Sequence, residues 1–458
     1  MKHSRSAIRC KAHRIPELRF EDQSLTSFAG LVLFQQFFMA IGLKAHLSRC
    51  FRHLRVGKVF SRATIFLQLI VHVLLGYREL RHSHYYRDDP LVKRALGLKR
   101  LPDVATISRM LKGADAQSVE SLRLLLREMI FDRLRTISPA RVTLDFDGSV
   151  LSTGRFAEGT AVGFNKKKKG VRSYYPLFCT IAQTAQVLDF LHRAGNVHDS
   201  NGAPAFILAC IQAVREALPQ AVIEVRMDSA FFSDEIITAL DAWRVEFTVS
   251  VPFERFAELK CMIEERRRWR RLNSDVSYFE ATWKPKSWDR RFRFVFVRTI
   301  AKKQHKGPVQ LDLFIPYEYG YEFKVVVTNK RSKMKTVVSY HDGRGSQEGI
   351  FAELKSQCQM EYIPGRSLFG NQLYMLATLF AHNLVRELHM TTTPRSRNTT
   401  EKRASLWVFE QLSTLRATLI HRAGRLTRPQ GRLTLTISAN HWIKTHLLQT
   451  LKALRHAA

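Results

Sequence analysis

Three short stretches of this 458-residue chain carry acids where phosphate or metal chemistry could use them. In "VTLDFDGSVL", residues 142–151, strand alternation puts Val142, Leu144 and Phe146 on one face and Thr143, Asp145 and Asp147 on the other. In "VIEVRMD", Asp228 ends a second strand-like run. Ligands of open sheets with parallel strands collect beyond the carboxyl ends of those strands. Two acids at neighbouring ends would lie roughly 5 Å apart, close enough to share divalent cations. Asp228 also reads as a helix N-cap, because "DSAFF" precedes a helical pattern. A third acid comes from "YHDGRGSQEGIFAELK", where Arg344, Glu348 and Lys355 recur at spacings of four and seven. They line one face of a helix that begins early enough, with Ile350, Phe351 and Leu354 toward the other side. Glu353 points roughly 140° away from Glu348 and is expected to make only a surface contact.

The elements that would position these acids follow from periodicity. From about residue 21 to 138 the apolar residues recur at helical spacing in "SFAGLVLFQQFFMAIGL", "ATIFLQLIVHVLLGY" and "SVESLRLLLREMIFDRL", giving an all-α region over 1–138. Within it "LPDVATISRMLKGA" offers a turn, a helix start near Thr106 and the basic Arg109 and Lys112. That pattern suits a DNA-reading helix-turn-helix or an ordinary bundle helix with a solvated face. After Pro139 the period drops to two, and "RVTLDFD", "YYPLFCTIA" and "QVLDFLHRAG" read as consecutive strands. A helix, a strand, a helix and a strand follow up to residue 251. This β-β-β-α-β-α-β order implies an α/β fold, a mixed sheet with flanking helices. Residues 252–339 read as a β-rich insertion that opens on a basic helix with "RRRWRR" and contains "VSYFEATW", "RFRFVFVRT", "VQLDLFI" and "EFKVVVTN". It is long enough to form a separate lobe. Residues 340–390 return to helix, with one long helical stretch from 346 to 389. Residues 391–458 hold a Thr-, Arg- and Pro-rich linker, a hairpin around Pro429 to Gly431 and a last helix.

Charge narrows the partner. Against 40 acids stand 73 Lys and Arg residues, a net charge of +33, which points to a polyanion such as DNA tracked by several basic faces. The run Lys166, Lys167, Lys168 and Lys169 follows the first strand, and four adjacent like charges gain most from a phosphate backbone. Trp269, inside "RRRWRR", could stack on a base or anchor the insertion. The apolar runs are interrupted and fall short of the roughly 18 residues a spanning helix needs, so no membrane partner is expected. Six scattered cysteines without a CxxC pair, and an N-terminus without an apolar signal region, suit a cytoplasmic protein.

Together these residues resemble the DDE transposases of bacterial insertion sequences, in the branch with a β-strand insertion before the third acid and a Tyr-Arg-Glu-Lys signature. "LDFDGSVL" is similar to the family's first-aspartate strand, and "VRMDSAFFS" to its second-aspartate motif. Tyr340, Arg344, Glu348 and Lys355 match the signature, with one extra residue between Tyr and Arg. "SYYPL", "HRAGNVHDSNG", the upstream "GYRELRHSHYYRDDPLVKRALGLKRLPDVATISR" and the late "RLTRPQGRLTL" extend the likeness over nearly the whole chain. The resemblance implies an RNase H-like core split between residues 139–251 and 340–390. It implies Asp147, Asp228 and Glu348 as catalytic acids holding two Mg²⁺ or Mn²⁺ ions, with Asp147 chosen because "DGSVL" fits the family register. Asp145 is then a support or a spare ligand. Arg344 and Lys355 would hold phosphates, and Tyr340, Arg109, Trp269 and the lysine run would contact DNA. The implied partners are double-stranded transposon-end and target DNA, with a homodimer in the synapse and a nucleoid-associated prokaryotic location. Two rivals are a transposase-derived DNA-binding protein without activity, against which an intact acid triad argues, and a stand-alone metal-dependent nuclease.

Overall fold

The computed structural model describes residues 17–20, 24–55, 57, 59–154, 156–163, 165, 168–198, 201–301 and 320–457. The first half of the sheet follows the expected order. Strands β1 (Arg141–Gly148), β2 (Leu177–Ile181) and β3 (Gln186–Leu191) pair antiparallel in sequence. β4 (Val222–Met227) and β5 (Glu246–Val251) join on the other side of β1, each parallel to its neighbour. The spatial order is therefore β3-β2-β1-β4-β5 with β2 reversed, the mixed sheet of an RNase H-like core.

Strand alternation gives this sheet two unlike faces. Val142, Leu144, Phe146, Val225, Met227, Phe247 and Val249 form one face and are fully buried. Helices α7 (Ala203–Ala217) and α8 (Asp234–Ala242) cover them, through Ile207, Ile211, Ile236 and Leu240. The opposite face of β1, β4 and β5 presents Thr143, Asp145, Glu224, Arg226, Glu246 and Thr248, every one of them at least partly buried. A polar face is tolerated there because each group is hydrogen-bonded or ion-paired to elements laid across it.

The insertion departs from the expectation of a separate lobe. Helix α9 (Ala257–Glu264) is followed by β6 (Arg270–Arg271), β7 (Val276–Trp283), β8 (Phe292–Ile300) and β9 (Tyr321–Thr328). β9 pairs antiparallel with β5, so the insertion extends the same sheet to nine strands among the described residues. The basic run "RRRWRR" is not helical: α9 ends at Glu264, and the run leads into edge strand β6. Adjacent arginines repel along a helix, whereas an edge strand lets them splay into solvent. The expected strand "VQLDLFI" lies outside the described residues.

The helical region does not stand apart either. Helices α1 (Leu31–Ala40), α2 (Leu43–Cys50), α3 (Arg62–Leu74), α4 (Pro90–Ala95), α5 (Val104–Lys112) and α6 (Ala116–Ile137) form the expected all-α region. Capping fixes their starts: Ser61, Asp103 and Asp115 accept from Thr64, Thr106 and Ser118 N–H groups. After β9 come α10 (Met334–Asp342), α11 (Ser346–Ser356) and α12 (Leu368–Thr392). The expected single stretch over 346–389 is thus broken at 357–367, where Gln359 takes a positive φ and Pro364 and Gly365 follow. α12 runs through the middle of the helical region and shares one core with α1 to α6, with Phe66 edge-on to Phe380 at 5.7 Å. The expected hairpin forms from β10 (Gly424–Thr427) and β11 (Thr434–Ile437), and β10 pairs with Leu25–Thr26. The last helix, α13 (His441–Ala457), packs Ile443 and Leu447 against Leu33 of α1. No single helix among the described residues is long and apolar enough to cross a membrane.

Candidate active site

Parallel pairing of β1 with β4 sets Phe146 beside Met227, so the next residue of each strand, Asp147 and Asp228, emerges at adjacent carboxyl ends. Both side chains are partly exposed. Asp147 Oδ1 accepts from Gly148 N at 2.8 Å, and Arg344 Nη1 lies 3.5 Å from Asp147 Oδ2. Asp228 Oδ1 accepts from Ala230 N at 3.0 Å, so it caps the following turn while standing at the strand end. The capping reading of Asp228 is met, at the expected strand-end position.

Helix α11 is laid along the exit of β1. Gln347 Nε2 donates to Asp145 O at 2.9 Å, Lys355 Nζ donates to Val150 O at 3.2 Å, and Phe351 packs against Phe178 of β2. Ile350, Phe351 and Leu354 are buried as expected. Arg344 sits in a 3₁₀ turn, Gly343–Gly345, just before the helix, and Glu348 is exposed in the first turn of α11. Among the described residues no group of three His, Cys, Asp or Glu side chains is gathered closely enough to hold a metal ion. The geometry brings Arg344 to Asp147 and sets Asp228 at the adjacent strand end, while Glu348 lies exposed on the adjoining helix and is not gathered with the two aspartates.

Several expectations change. Glu353 is not a surface residue: it is 6% exposed, paired with Arg386, and accepts from Leu412 N at 3.1 Å. Asp145 is no spare ligand. It is 1% exposed and receives Arg226 Nε and Nη2 at 2.6 and 2.7 Å. Burial pushes its carboxyl up against the pull of Arg226 and Arg344. Tyr340 is 1% exposed, so DNA cannot reach its ring; burial raises its phenol, and Lys330 Nζ lies 4.2 Å from the ring centroid. Its hydroxyl has no hydrogen-bond partner among the described residues. The neighbouring His341 is pushed down by burial and bonds Thr248 Oγ1 and Ser250 Oγ, both at 2.9 Å.

The basic residues are spread. Arg109 and Lys112 are exposed on α5, Arg109 contacting Thr106 Oγ1 at 3.1 Å. Lys168 and Lys169 are exposed between β1 and β2, whereas Lys166 and Lys167 lie outside the described residues. Trp269 is half-buried, edge-on to Phe279 at 4.8 Å, with Arg298 4.6 Å over its ring. That is the anchoring alternative of its two sequence readings. Sequence reasoning missed Arg226 and Gln347. The signal was present for Arg226, a cation inside an apolar strand, two residues before Asp228 as Asp145 is two before Asp147.

A family model described as "Transposase DDE domain group 1" matches residues 9–458. No curated protein matches the chain. Among solved structures, a piggyBac transposase synaptic complex with hairpin DNA is similar at 12% identity and a TM-score of 0.41, over 85% of this chain and 80% of that one. A Mos1 transposase paired-end complex with left transposon end aligns over 43% of this chain and 60% of its own, at 10% identity and a TM-score of 0.19.

Proposed function

Because the chain belongs to the DDE transposase family, matched from residue 9 to 458, we propose that it binds the terminal inverted repeats of an insertion sequence. There it carries out metal-dependent strand cleavage and strand transfer, moving the element by cut and paste. The observation that carries this reading is the pair Asp147 and Asp228 at adjacent ends of β1 and β4, with Arg344 3.5 Å from Asp147.

The donor chemistry fits a divalent cation. Asp147 and Asp228 offer only oxygens, as hard ions require, and both are partly exposed, whereas nearby Asp145 is sealed against Arg226. Asp147 and Asp228, joined by Glu348 only if α11 carries it toward them, would hold two Mg²⁺ or Mn²⁺ ions, which would supply positive charge against the crowded anionic transition state of phosphodiester cleavage. Arg344, with its planar fork, orients a phosphate beside Asp147, and Lys355 adds a point charge further along α11. Arg109 on α5 and the lysines of the run Lys166 to Lys169 hold DNA outside the reacting bond. The working unit is a homodimer pairing two ends, in a prokaryotic cytoplasm where the nucleoid is at hand.

The test is cleavage of labelled end DNA in Mg²⁺. Asp147→Ala and Asp228→Ala are each expected to abolish cleavage while end binding, measured by anisotropy, stays intact, because binding rests on distributed cations. Cleavage retained by Asp147→Ala would overturn the assignment. A wild-type protein that binds ends and never nicks them would be a DNA-binding derivative, and one that nicks without joining would be a nuclease.

A further inference from the structure

Arg226 is fully buried, and four of its five N–H groups are committed. Nε and Nη2 grip Asp145 of β1 at 2.6 and 2.7 Å. Nη1 donates to Tyr340 O at the end of α10 at 2.9 Å, and to Lys402 O at 2.7 Å. Lys402 belongs to the linker, residues 394–411, which is not a loose tether. Its Arg403 Nε reaches Glu224 Oε2 of β4 at 2.8 Å, its Leu406 N donates to Gln183 O at 2.8 Å, and its Trp407 is buried. The linker is a strap across the polar face of the sheet.

Gly343 lies where strap, guanidinium and turn meet. A Cβ there would fall 2.0 Å from Lys402 O and 2.2 Å from Arg226 Nη1, so the turn packs against the strap with no room for a side chain. One residue later stands Arg344, which touches Asp147, and five residues later stands Glu348. The guanidinium thus joins the two acid-bearing strands, each two residues before its acid, to the turn that starts α11.

We propose that Arg226 is the positioning residue of the acid site, and that the strap, through Lys402 O, locks the Gly343–Gly345 turn and α11 in register with Asp147 and Asp228. This rests on the transposase reading above. Seating or releasing the strap would then set how well the third acid and Arg344 face the two aspartates, without any strap side chain touching DNA at the reacting bond.

Gly343→Ala is the discriminating variant. The native φ of −61° suits alanine, so any effect arises from the added Cβ against the strap and guanidinium. The variant is expected to fold by circular dichroism and to bind end DNA with unchanged affinity. At saturating DNA it should cleave roughly 10- to 100-fold more slowly, the scale of a small misplacement. Amide exchange over 340–348 and 400–404 should rise together. Arg226→Lys, which keeps the charge and loses the fork, should shift turnover and exchange in the same direction. Lys402→Ala, which keeps the carbonyl, should match wild type. A folded Gly343→Ala protein with wild-type turnover overturns the proposal alone, as does exchange that rises in one segment only. A wild-type protein that does not cleave overturns the transposase reading itself, and this role with it.

Discussion

Glu348 and Glu353 stand five positions apart on α11 in opposite surroundings. Glu348→Gln is expected to remove metal-dependent cleavage with stability unchanged, since its side chain is exposed and a glutamine there disturbs no packing. Glu353→Gln leaves the Arg386 guanidinium buried without its carboxylate, a change that costs on the order of 3 kcal/mol. Urea unfolding should register that loss, while the protein that remains folded cleaves at the wild-type rate. A fully active Glu348→Gln protein would sink the three-carboxylate assignment. A helical wheel separates the two glutamates but not their surroundings: α11 is covered by β1 on one side and α12 on another, so the face a wheel marks as solvated is packed. Asp145 was illegible for a similar reason. Nothing local distinguishes a metal ligand from a structural anion, and the partner that decides it, Arg226, lies 81 residues away and meets it only through strand register.

At the scale of elements, period and turn chemistry located most strands and helices of the core, because alternation in β1 and β4 and the 3.6-residue stripes of α3 and α6 are each carried by local sequence. What joined them was not local. The pairing of β9 with β5, the passage of α12 through the helical region and the seating of the strap depend on partners far along the chain. Glu224 of β4 shows the consequence. It is fully buried and meets Arg141 Nη1 at 2.8 Å, Lys330 Nζ at 2.7 Å and Arg403 Nε at 2.8 Å, tying β1, the end of β9 and the strap together. Burial alone would raise its carboxyl, but the Arg403 hydrogen bonds and the Lys330 charge outweigh it and hold the group at about 2, below its ordinary 4.5. A depressed folded value means the stabilisation is complete above 4.5 and is lost as pH falls from there toward 2, worth roughly 3 kcal/mol in all. Urea midpoints should therefore drop across that window, and Glu224→Gln, weaker at neutral pH, should drop less steeply within it. Parallel pH profiles for the two proteins would remove Glu224 as the acid-sensitive tie.

For the molecule as a whole, the internal ion pairs leave the excess charge on the outside. Asp145 with Arg226, Asp189 and Glu120 with Arg123 and Arg127, Glu353 with Arg386 and Glu387 with Arg133 each come close to neutral. Among the described residues, exposed cations stand at Arg109 and Lys112 on α5, at Lys168 and Lys169 between β1 and β2, and along Arg266 to Arg271 at the sheet edge. A rigid duplex touching several of these faces would release on the order of 6 to 10 counterions, so affinity should fall about 10³-fold or more between 50 and 200 mM salt. Because the exposed cations are dispersed over separate elements, neutralising the pair Lys168 and Lys169 should flatten the slope of log affinity against log salt by about two without changing sequence preference. Anisotropy titrations of end DNA and of a scrambled duplex over that range give both quantities. An affinity for end DNA that is flat with salt would mean that the surface charge serves some other purpose and would remove duplex DNA as the principal partner.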